Sequence, residues 1–394
     1  MLGLARTWLK SETLPSVSVS LQSSFWGPDR HMSVGPLSIR CYNIAMIELS
    51  KIQELDKHKI FETIGSQPDQ LRRNFADAMH DDITVDDGVG ISSIVFAGMG
   101  GSALAANIIK NWLYDNLTVP LEVVRGYNLP DYIGPNTLVV VSSYSGNTEE
   151  ALSCYQQAIG EGAKIVVMSA GGELMKQARK HNNLVLELPD GYQPRLAVFA
   201  GFKALACLFE DMKLVATTDL RGQLINVADF LDNVKFAMSP DNQSEDNLAM
   251  QIAEKVYGKV AIIYAASMLG SAAYKWKIDV NENGKQLAFY NTYPELNHNE
   301  FQGWMFPKEK ELVAIQLESS LEAEQMQKRM LSTEAILKDH GFTPIKIQAQ
   351  GSTHIEQLLS TILLGDYVSA YVGILNGIDP TPVEMVEKLK KNLK

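Results

Sequence analysis

Residues 138–150 read LVVVSSYSGNTEE, and this stretch decides the predicted fold. Its opening residues, 138–142, are mostly β-branched and apolar, which is typical of a buried strand. The chain then changes abruptly to small residues and to residues with hydroxyl or amide groups, from Ser143 to Thr148. Apolar residues at helical spacing follow and predict a helix over 147–160. A buried strand that passes through a polar turn into a helix is typical of α/β proteins.

The same alternation continues along the chain on both sides of this stretch. Strand-like runs near it read SSIVFAG, LEVVRG, KIVVMSA and LVLELP, and later ones read LAFY, LVAIQLE and PIKIQA. The run GKVAIIYAASMLGSAAYKWKIDV repeats the strand, small-residue turn and helix of SSIVFAGMGGSALAANIIKNWL. Short apolar strands that alternate with helices predict parallel sheets covered on both faces. The sequence therefore predicts an α/β protein with two doubly wound domains, each a parallel sheet flanked by helices.

The predicted organisation follows from these patterns. We expect a helical lead-in at 46–87, a first α/β domain at 88–214, linker helices at 215–244, a second α/β domain at 245–378 and a C-terminal helix at 379–394. The first 45 residues are rich in serine, poor in acids and without clear periodicity. This composition suits either a transit peptide or an extension upstream of Met46, and we expect it to be disordered and without a part in the chemistry.

Composition restricts the partners and the compartment. The net charge of −11 and the pI near 5.2 argue against nucleic acid and anionic membranes, which favour a basic face. An anionic small molecule remains open, because a pocket can be positive on an acidic protein. We expect no apolar run near the roughly 20 residues that a membrane span needs. The three cysteines, Cys41, Cys154 and Cys207, form no CxxC pair and predict thiols in a reducing, cytoplasmic setting.

Two polar loops of the first domain are predicted to bind an anion. In an α/β sheet, ligands lie at the carboxyl ends of strands, where helix N-termini offer unpaired N–H groups. Neither loop has the GxGxxG or GK[ST] pattern of nucleotide sites, so a monophosphate fits better. Turn and cap residues alone would give the same sequence, and Asn147 or Thr148 is expected to cap the following helix. The candidate phosphate-binding residues are Gly100, Gly101 and Ser102 in GMGGSA, and Ser143, Ser145 and Thr148 in SYSGNT.

The second half carries the candidate catalytic residues, in KWKIDVNENGKQLAFYNTYPELNHNEFQGW at 275–304. Glu282 lies between two asparagines at the predicted end of a helix, and His298 follows in a polar turn. Conversion of an aldose to a ketose needs a carboxylate that moves a proton between C1 and C2, and a second acid/base group that opens the ring. Either residue on its own would more commonly be a surface or structural group.

Together these motifs closely resemble the bifunctional phosphoglucose/phosphomannose isomerase family, which is built from sugar-isomerase (SIS) domains. The resemblance covers about residues 46–394 and includes GMGGS, SYSGNT, YQPR, NEN, ELNHNE and LKKNL. It implies that Glu282 is the enediol base, that His298 assists ring opening and that Arg195 lies beside the enediolate. It also implies a terminal lysine near the ring oxygen, for which Lys390 fits best and Lys388 and Lys391 are the alternatives.

The resemblance further implies a homodimer whose active site lies at the subunit interface, with the histidine supplied by the neighbouring subunit. The implied substrates are glucose 6-phosphate, mannose 6-phosphate and fructose 6-phosphate, without metal or cofactor. The residues agree with parts of this picture. Arg195 is a permanent cation after a conformationally restricted proline, and it could hold negative charge on an enediolate. The seven histidines show no HxH or HExxH spacing that would indicate a metal.

The sequence departs from the family's usual pattern in GGSALAAN, which has alanines and Asn107 where glycines and an acid are common. We expect this difference to affect helix packing more than chemistry. Two alternative functions are a phosphosugar-sensing regulator without turnover and another SIS enzyme, such as an amidosugar deaminase or synthase half. The regulator would not need Glu282 or His298 and usually carries a DNA-binding segment. A glutaminase half would need an N-terminal cysteine, which follows neither Met1 nor Met46.

Overall fold

The computed structural model describes residues 47–75, 88, 90–305 and 311–393. The chain divides into a unit of residues 1–43 and a compact unit of residues 44–394, and every described residue belongs to the second. The predicted extension at 1–45 therefore lies outside the described residues.

The described elements alternate between strands and helices after a helical beginning. The strands are β1 (Ser93–Gly98), β2 (Leu121–Val124), β3 (Thr137–Ser142), β4 (Lys164–Ser169), β5 (Leu184–Glu187), β6 (Val260–Ala265), β7 (Ala288–Thr292), β8 (Leu312–Glu318) and β9 (Ile345–Gln348). The α-helices are α1 (Leu49–Leu55), α2 (Ile60–Gly65), α3 (Gln67–Arg72), α4 (Leu104–Trp112), α5 (Glu149–Gly160), α6 (Gly172–Lys180), α7 (Val198–Asp211), α8 (Leu220–Lys235), α9 (Leu248–Val256), α10 (Gly270–Glu282), α11 (Glu324–Asp339), α12 (His354–Leu375) and α13 (Glu384–Asn392).

The first sheet is parallel and has the strand order β2-β1-β3-β4-β5. Its strands read as continuous apolar runs because both faces are covered. Val140 of β3 belongs to the core shared with α4 and α7, whereas Val139 belongs to the core shared with α5 and α6. The strand order reverses between β1 and β3, and a crevice forms at the carboxyl ends of strands at such a point.

The second sheet is also parallel, with the order β7-β6-β8-β9. One face joins the main core through α9, α10 and α12. The other face carries a smaller cluster around Tyr264 and Trp304 that includes Met330 and Leu337 of α11. Strand β7 is at the edge, and its Phe289 is exposed. The predicted fold class is therefore confirmed, while the exact domain boundaries stay predictions.

The long helix α12 corrects one expectation from the sequence. Its 22 residues have a mean hydropathy of 1.6 over the most apolar window, so by length and composition it could cross a membrane. In this fold 94% of that window is buried, and the helix packs against α8, α9 and α10. The prediction that no apolar run approaches that length was wrong. The helix is mostly apolar and buried on nearly all sides because it lies in the middle of the core.

Candidate active site

The two predicted phosphate loops lie side by side at the carboxyl ends of β1 and β3. The first loop forms a short 3₁₀ helix, Gly100–Ala103, that leads into α4, and the second leads into α5. A direct hydrogen bond joins them, because the Tyr144 backbone N–H donates to Ser102 Oγ at 3.0 Å. Neighbouring parallel strands thus bring together two loops that are separated in sequence.

Hydroxyl groups in the SYSGNT loop form a small network. Ser143 Oγ and Thr148 Oγ1 are 2.9 Å apart, and Ser145 Oγ accepts from the Asn147 backbone N–H at 3.3 Å. The expected side-chain cap on α5 was wrong. Thr148 occupies the N-cap position without a capping bond, and Asn147 Oδ1 instead accepts from the Glu173 N–H at the start of α6. Hydroxyls beside a helix N-terminus are the donors that a phosphate needs.

Arg195 connects these loops to the candidate base. Its backbone lies against Gly101, where an added Cβ would come within 2.8 Å of the Arg195 nitrogen. Its side chain is only 1% exposed, and Nη1 lies 3.2 Å from Glu282 Oε2. Nε donates to Asn283 Oδ1 at 2.6 Å, and Nη2 donates to the Thr381 carbonyl at 2.8 Å. The length of one arginine side chain therefore separates the phosphate loops from Glu282.

The charge state of Arg195 beside Glu282 depends on burial and on nearby carboxylates. Burial lowers the pKa of Arg195, and the carboxylates of Glu282, Asp279 and Asp366 act in the opposite direction. A guanidinium remains charged in proteins, so Glu282 faces a fixed positive charge. Glu282 is the last residue of α10, and its side chain is 34% exposed. It lines a cavity of about 520 Å³ together with Lys285 and Asp379.

His298 does not lie beside Glu282 within one chain. Helix α10 ends at Glu282 before β7 begins, whereas His298 ends a 3₁₀ helix that follows β7. The two residues therefore lie at opposite ends of β7, Glu282 before its amino end and His298 after its carboxyl end. The five residues of β7 alone span about 16 Å at roughly 3.3 Å per residue. His298 is exposed after the carboxyl end of β7, where another chain can reach it.

The three C-terminal lysines occupy two faces of α13, with Lys388 and Lys391 on one and Lys390 on the other. Lys390 is 60% exposed and pairs with Glu387 at 2.7 Å. Lys388 and Lys391 instead line a cavity of about 450 Å³ that also contains Gln193. Gln193 Oε1 lies 3.5 Å from Arg195 Nη1, so this cavity adjoins the arginine. By position, the two alternatives face the site and Lys390 does not, and the choice of lysine stays a prediction.

Sequence reasoning missed Lys285. Its Nζ donates to the Glu282 carbonyl and to the Pro380 carbonyl, both at 2.6 Å. Burial, and then the neighbouring Arg195, lowers the pKa of Lys285 to about 8. The only sequence signal was its position three residues after Glu282, in NENGK. That position does not reveal the contact with residue 380, which depends on the tertiary fold.

In the second sheet, a side chain already fills the position at the carboxyl ends of β6 and β8 that corresponds to the phosphate loops of the first sheet. After β8, the buried carboxylate of Glu322 accepts from the Met268 N–H at 2.6 Å and from Ser267 Oγ at 3.1 Å. An internal anion thus occupies the loop that follows β6. The candidate phosphate site is therefore assigned to the first domain.

The described residues hold two free cysteines and no cluster of metal ligands. Within residues 47–75, 88, 90–305 and 311–393, three or more His, Cys, Asp or Glu side chains nowhere converge as metal ligands. Cys154 and Cys207 are free and buried, and burial raises the pKa of the Cys154 thiol to about 11. Cys41 lies outside the described residues.

The fold of this chain is that of SIS-type α/β proteins. The crystal structure of a putative phosphosugar isomerase from Clostridium difficile 630 superposes with a TM-score of 0.66 at 15% identity, covering 84% of this chain and 97% of that chain. The SIS domain family matches residues 90–192. The family described as bacterial phospho-glucose isomerase C-terminal SIS domain matches residues 245–393.

Sequence relatives narrow this class. A bifunctional phosphoglucose/phosphomannose isomerase of Caldicellulosiruptor bescii is 34% identical over 337 residues, which cover 85% of this chain and 98% of that protein. One from Aquifex aeolicus is 32% identical, covering 76% of this chain and 90% of that protein. A D-glucosamine-6-phosphate 4-epimerase of Sulfolobus acidocaldarius is 32% identical over 57% of this chain and 68% of that protein. The chain belongs to the bifunctional phosphoglucose/phosphomannose isomerase family.

Proposed function

We propose that this protein interconverts glucose 6-phosphate and fructose 6-phosphate, and mannose 6-phosphate and fructose 6-phosphate, at one site and without a metal. The observation that carries the proposal is the Arg195–Glu282 pair, 3.2 Å apart, beside two hydroxyl-rich loops in a member of this family. A carboxylate, a fixed cation and a set of phosphate donors are the groups that an enediol mechanism requires.

Binding begins at the phosphate. Ser102, Ser143, Ser145 and Thr148 supply hydroxyl donors, and the start of α5 supplies backbone N–H groups and a partial positive charge. The backbone of Gly100 and Gly101 allows close approach, because these residues carry no side chain. With the phosphate held there, the sugar extends along Arg195 toward Glu282.

Glu282 then moves the proton between C1 and C2. Removal of the C2 proton of an aldose gives a cis-enediol, and return of the proton to C1 gives the ketose. Negative charge develops on the oxygens during transfer, and the buried guanidinium of Arg195 stabilises it. Both aldoses share one enediol and differ in the face of C2 that is protonated. Rotation about the C2–C3 bond therefore allows one base to serve both.

Ring opening is assigned to His298 of a partner subunit and to a lysine of α13. Within one chain His298 lies at the opposite end of β7 from Glu282, which supports a site that takes its histidine from a second copy. Apolar side chains beside the cavity at Glu282 support such a contact. Leu287 is 61% exposed, and on α13 Met385 is 87% and Leu389 is 58% exposed. A partner that covered these side chains would remove a large apolar surface from water.

The first test is turnover of fructose 6-phosphate in a chelator, with glucose 6-phosphate and mannose 6-phosphate measured together. The variant Glu282→Gln keeps the size and the hydrogen bond to Arg195 but removes the base, so a loss of at least about 100-fold is expected. Glu324→Gln, in a surface pair with Lys328, is the matched control and should keep wild-type rates. Wild-type protein that binds but does not convert fructose 6-phosphate would indicate a sensor instead.

The same assay distinguishes the proposed isomerase from another SIS-domain sugar-phosphate enzyme. Glucosamine 6-phosphate is included as a second substrate because one relative is named for its 4-epimerisation. A product epimerised at C4, without fructose 6-phosphate turnover, would contradict the isomerase proposal.

A further inference from the structure

The C-terminal helix α13 has exposed side chains along its whole length. It runs from Glu384 to Asn392 and buries none of its side chains in its own chain. Its position therefore depends on the irregular segment 376–383 that joins it to α12. Because the candidate lysines lie on α13, this segment also sets their distance from Glu282.

Two cations hold that segment against the end of α10. Lys285 Nζ donates to the carbonyls of Glu282 and Pro380, both at 2.6 Å. Arg195 Nη2 donates to the same Pro380 carbonyl at 3.3 Å and to the Thr381 carbonyl at 2.8 Å. The Pro380 carbonyl thus accepts from both cations. Lys285 lies two residues after Asn283, the C-cap of α10, and has a left-handed backbone with φ 51°.

We propose that Lys285 is a positioning residue for the reaction: its ammonium ties the carbonyl end of α10, which carries Glu282, to the segment that carries α13. This inference rests on the proposed isomerase function. It assigns to Lys285 no contact with the substrate. Its effect is to keep the base and the α13 lysines in one fixed arrangement, and small displacements of such groups lower kcat strongly.

The surrounding charges make the bonds of Lys285 to the Glu282 and Pro380 carbonyls, here called the Lys285 clamp, sensitive to pH. Burial and the Arg195 guanidinium lower the pKa of Lys285 to about 8, against the opposing effect of Asp379, Glu282 and Glu384. These four groups are the charged neighbours from the 3₁₀ helix at Arg195, from α10, from segment 376–383 and from α13. At pH 7 the ammonium makes charge-assisted bonds, and above about pH 8 the neutral amine donates more weakly. We expect the kcat of the wild type to fall on the alkaline side with a midpoint near pH 8.

The experiment compares Lys285→Met, Lys285→Arg and the wild type in kcat, KM and pH profile. Lys285→Met should lower kcat by about 10- to 100-fold, change KM less and abolish the limb near pH 8. Lys285→Arg should recover much of kcat and move that limb above pH 10, because a guanidinium does not titrate there. Lys277→Met, also on α10, is the matched control and should behave as the wild type.

A second readout does not depend on turnover. Amide hydrogen exchange across residues 376–393 should become at least about tenfold faster in Lys285→Met and stay unchanged in Lys277→Met. If the wild type does not isomerise sugar phosphates, the proposed function fails while this measurement still tests the clamp. Lys285→Met with wild-type kcat, pH profile and amide exchange would overturn the inference.

Discussion

Gly146 in the SYSGNT loop determines how closely two backbone segments approach. Its φ is 68°, and an added Cβ would lie 1.8 Å from the Gly171 carbonyl oxygen. Its carbonyl also accepts from the Leu174 N–H at 2.9 Å, which ties the loop to α6. The residue is therefore glycine for two separate reasons, its backbone conformation and the lack of space.

The change Gly146→Ala should lower the free energy of unfolding by about 3 kcal/mol, because strain and a backbone clash add. Gly162→Ala is the matched control, since Gly162 has a similar φ of 66° with open space around it. Only the conformational cost of about 1 kcal/mol is expected there. Chemical denaturation measures both variants, and equal losses would show that the contact with Gly171 is unimportant.

Helices α10 and α12 are joined by a buried ionic cluster. Lys275 Nζ bonds both oxygens of Asp279 on α10, at 2.6 and 2.7 Å, and Asp366 Oδ1 on α12. All three side chains are 0% exposed, and Gln67 of α3 donates to the second oxygen of Asp366. Since Asp279 and Asp366 also support the charge of Arg195, this cluster fixes both the position and the electrostatics of α10.

Removal of the cation in Lys275→Met should destabilise the protein by about 3–5 kcal/mol, because two carboxylates remain buried without a counter-charge. Burial already raises the pKa of Asp279 well above its usual value. A folded pKa above the unfolded one means that the folded state binds more protons, so stability falls as pH rises through that range. The difference between variant and wild type should therefore shrink from pH 7 to pH 5 in denaturant titrations. A difference independent of pH would argue that the loss comes from packing alone.

At the scale of the whole molecule, the site is expected to need two chains. Glu282 and His298 lie at opposite ends of β7, so a symmetric dimer can pair each base with the partner's histidine. In that arrangement, each site takes one of the two residues from each chain. In a dimer of one Glu282 variant and one His298 variant, one site therefore receives both changes and the other site receives neither.

Mixing Glu282→Gln with His298→Ala subunits should restore activity. In a mixed dimer one site carries both defects and the other carries neither, so random exchange should recover about a quarter of the wild-type rate. Each variant alone should be inactive or nearly so. No recovery, with exchange verified by native mass spectrometry of differently tagged chains, would place both residues in one chain's site.

The sequence by itself determined the fold class and predicted the two candidate phosphate loops. These features are local, since apolar strands, polar turns and helix ends follow from neighbouring residues. The family resemblance supplied the predicted roles of Glu282, Arg195, His298 and the terminal lysines. The reading of the sequence also missed α12 as a long apolar helix. Its composition fits a membrane span as well as a core helix, and only its burial by the surrounding helices shows that it is a core helix.

Only the tertiary structure decided which of these residues meet. Arg195 and Glu282 are far apart in sequence, and they pair because α10 ends beside the 3₁₀ helix that carries the arginine. The same packing brings Lys285 to the Pro380 carbonyl and fills the loop after β6 with Glu322. It also separates His298 from Glu282 by the length of a strand. Such contacts depend on how whole helices and strands pack, so they cannot be predicted from the spacing of residues along the chain.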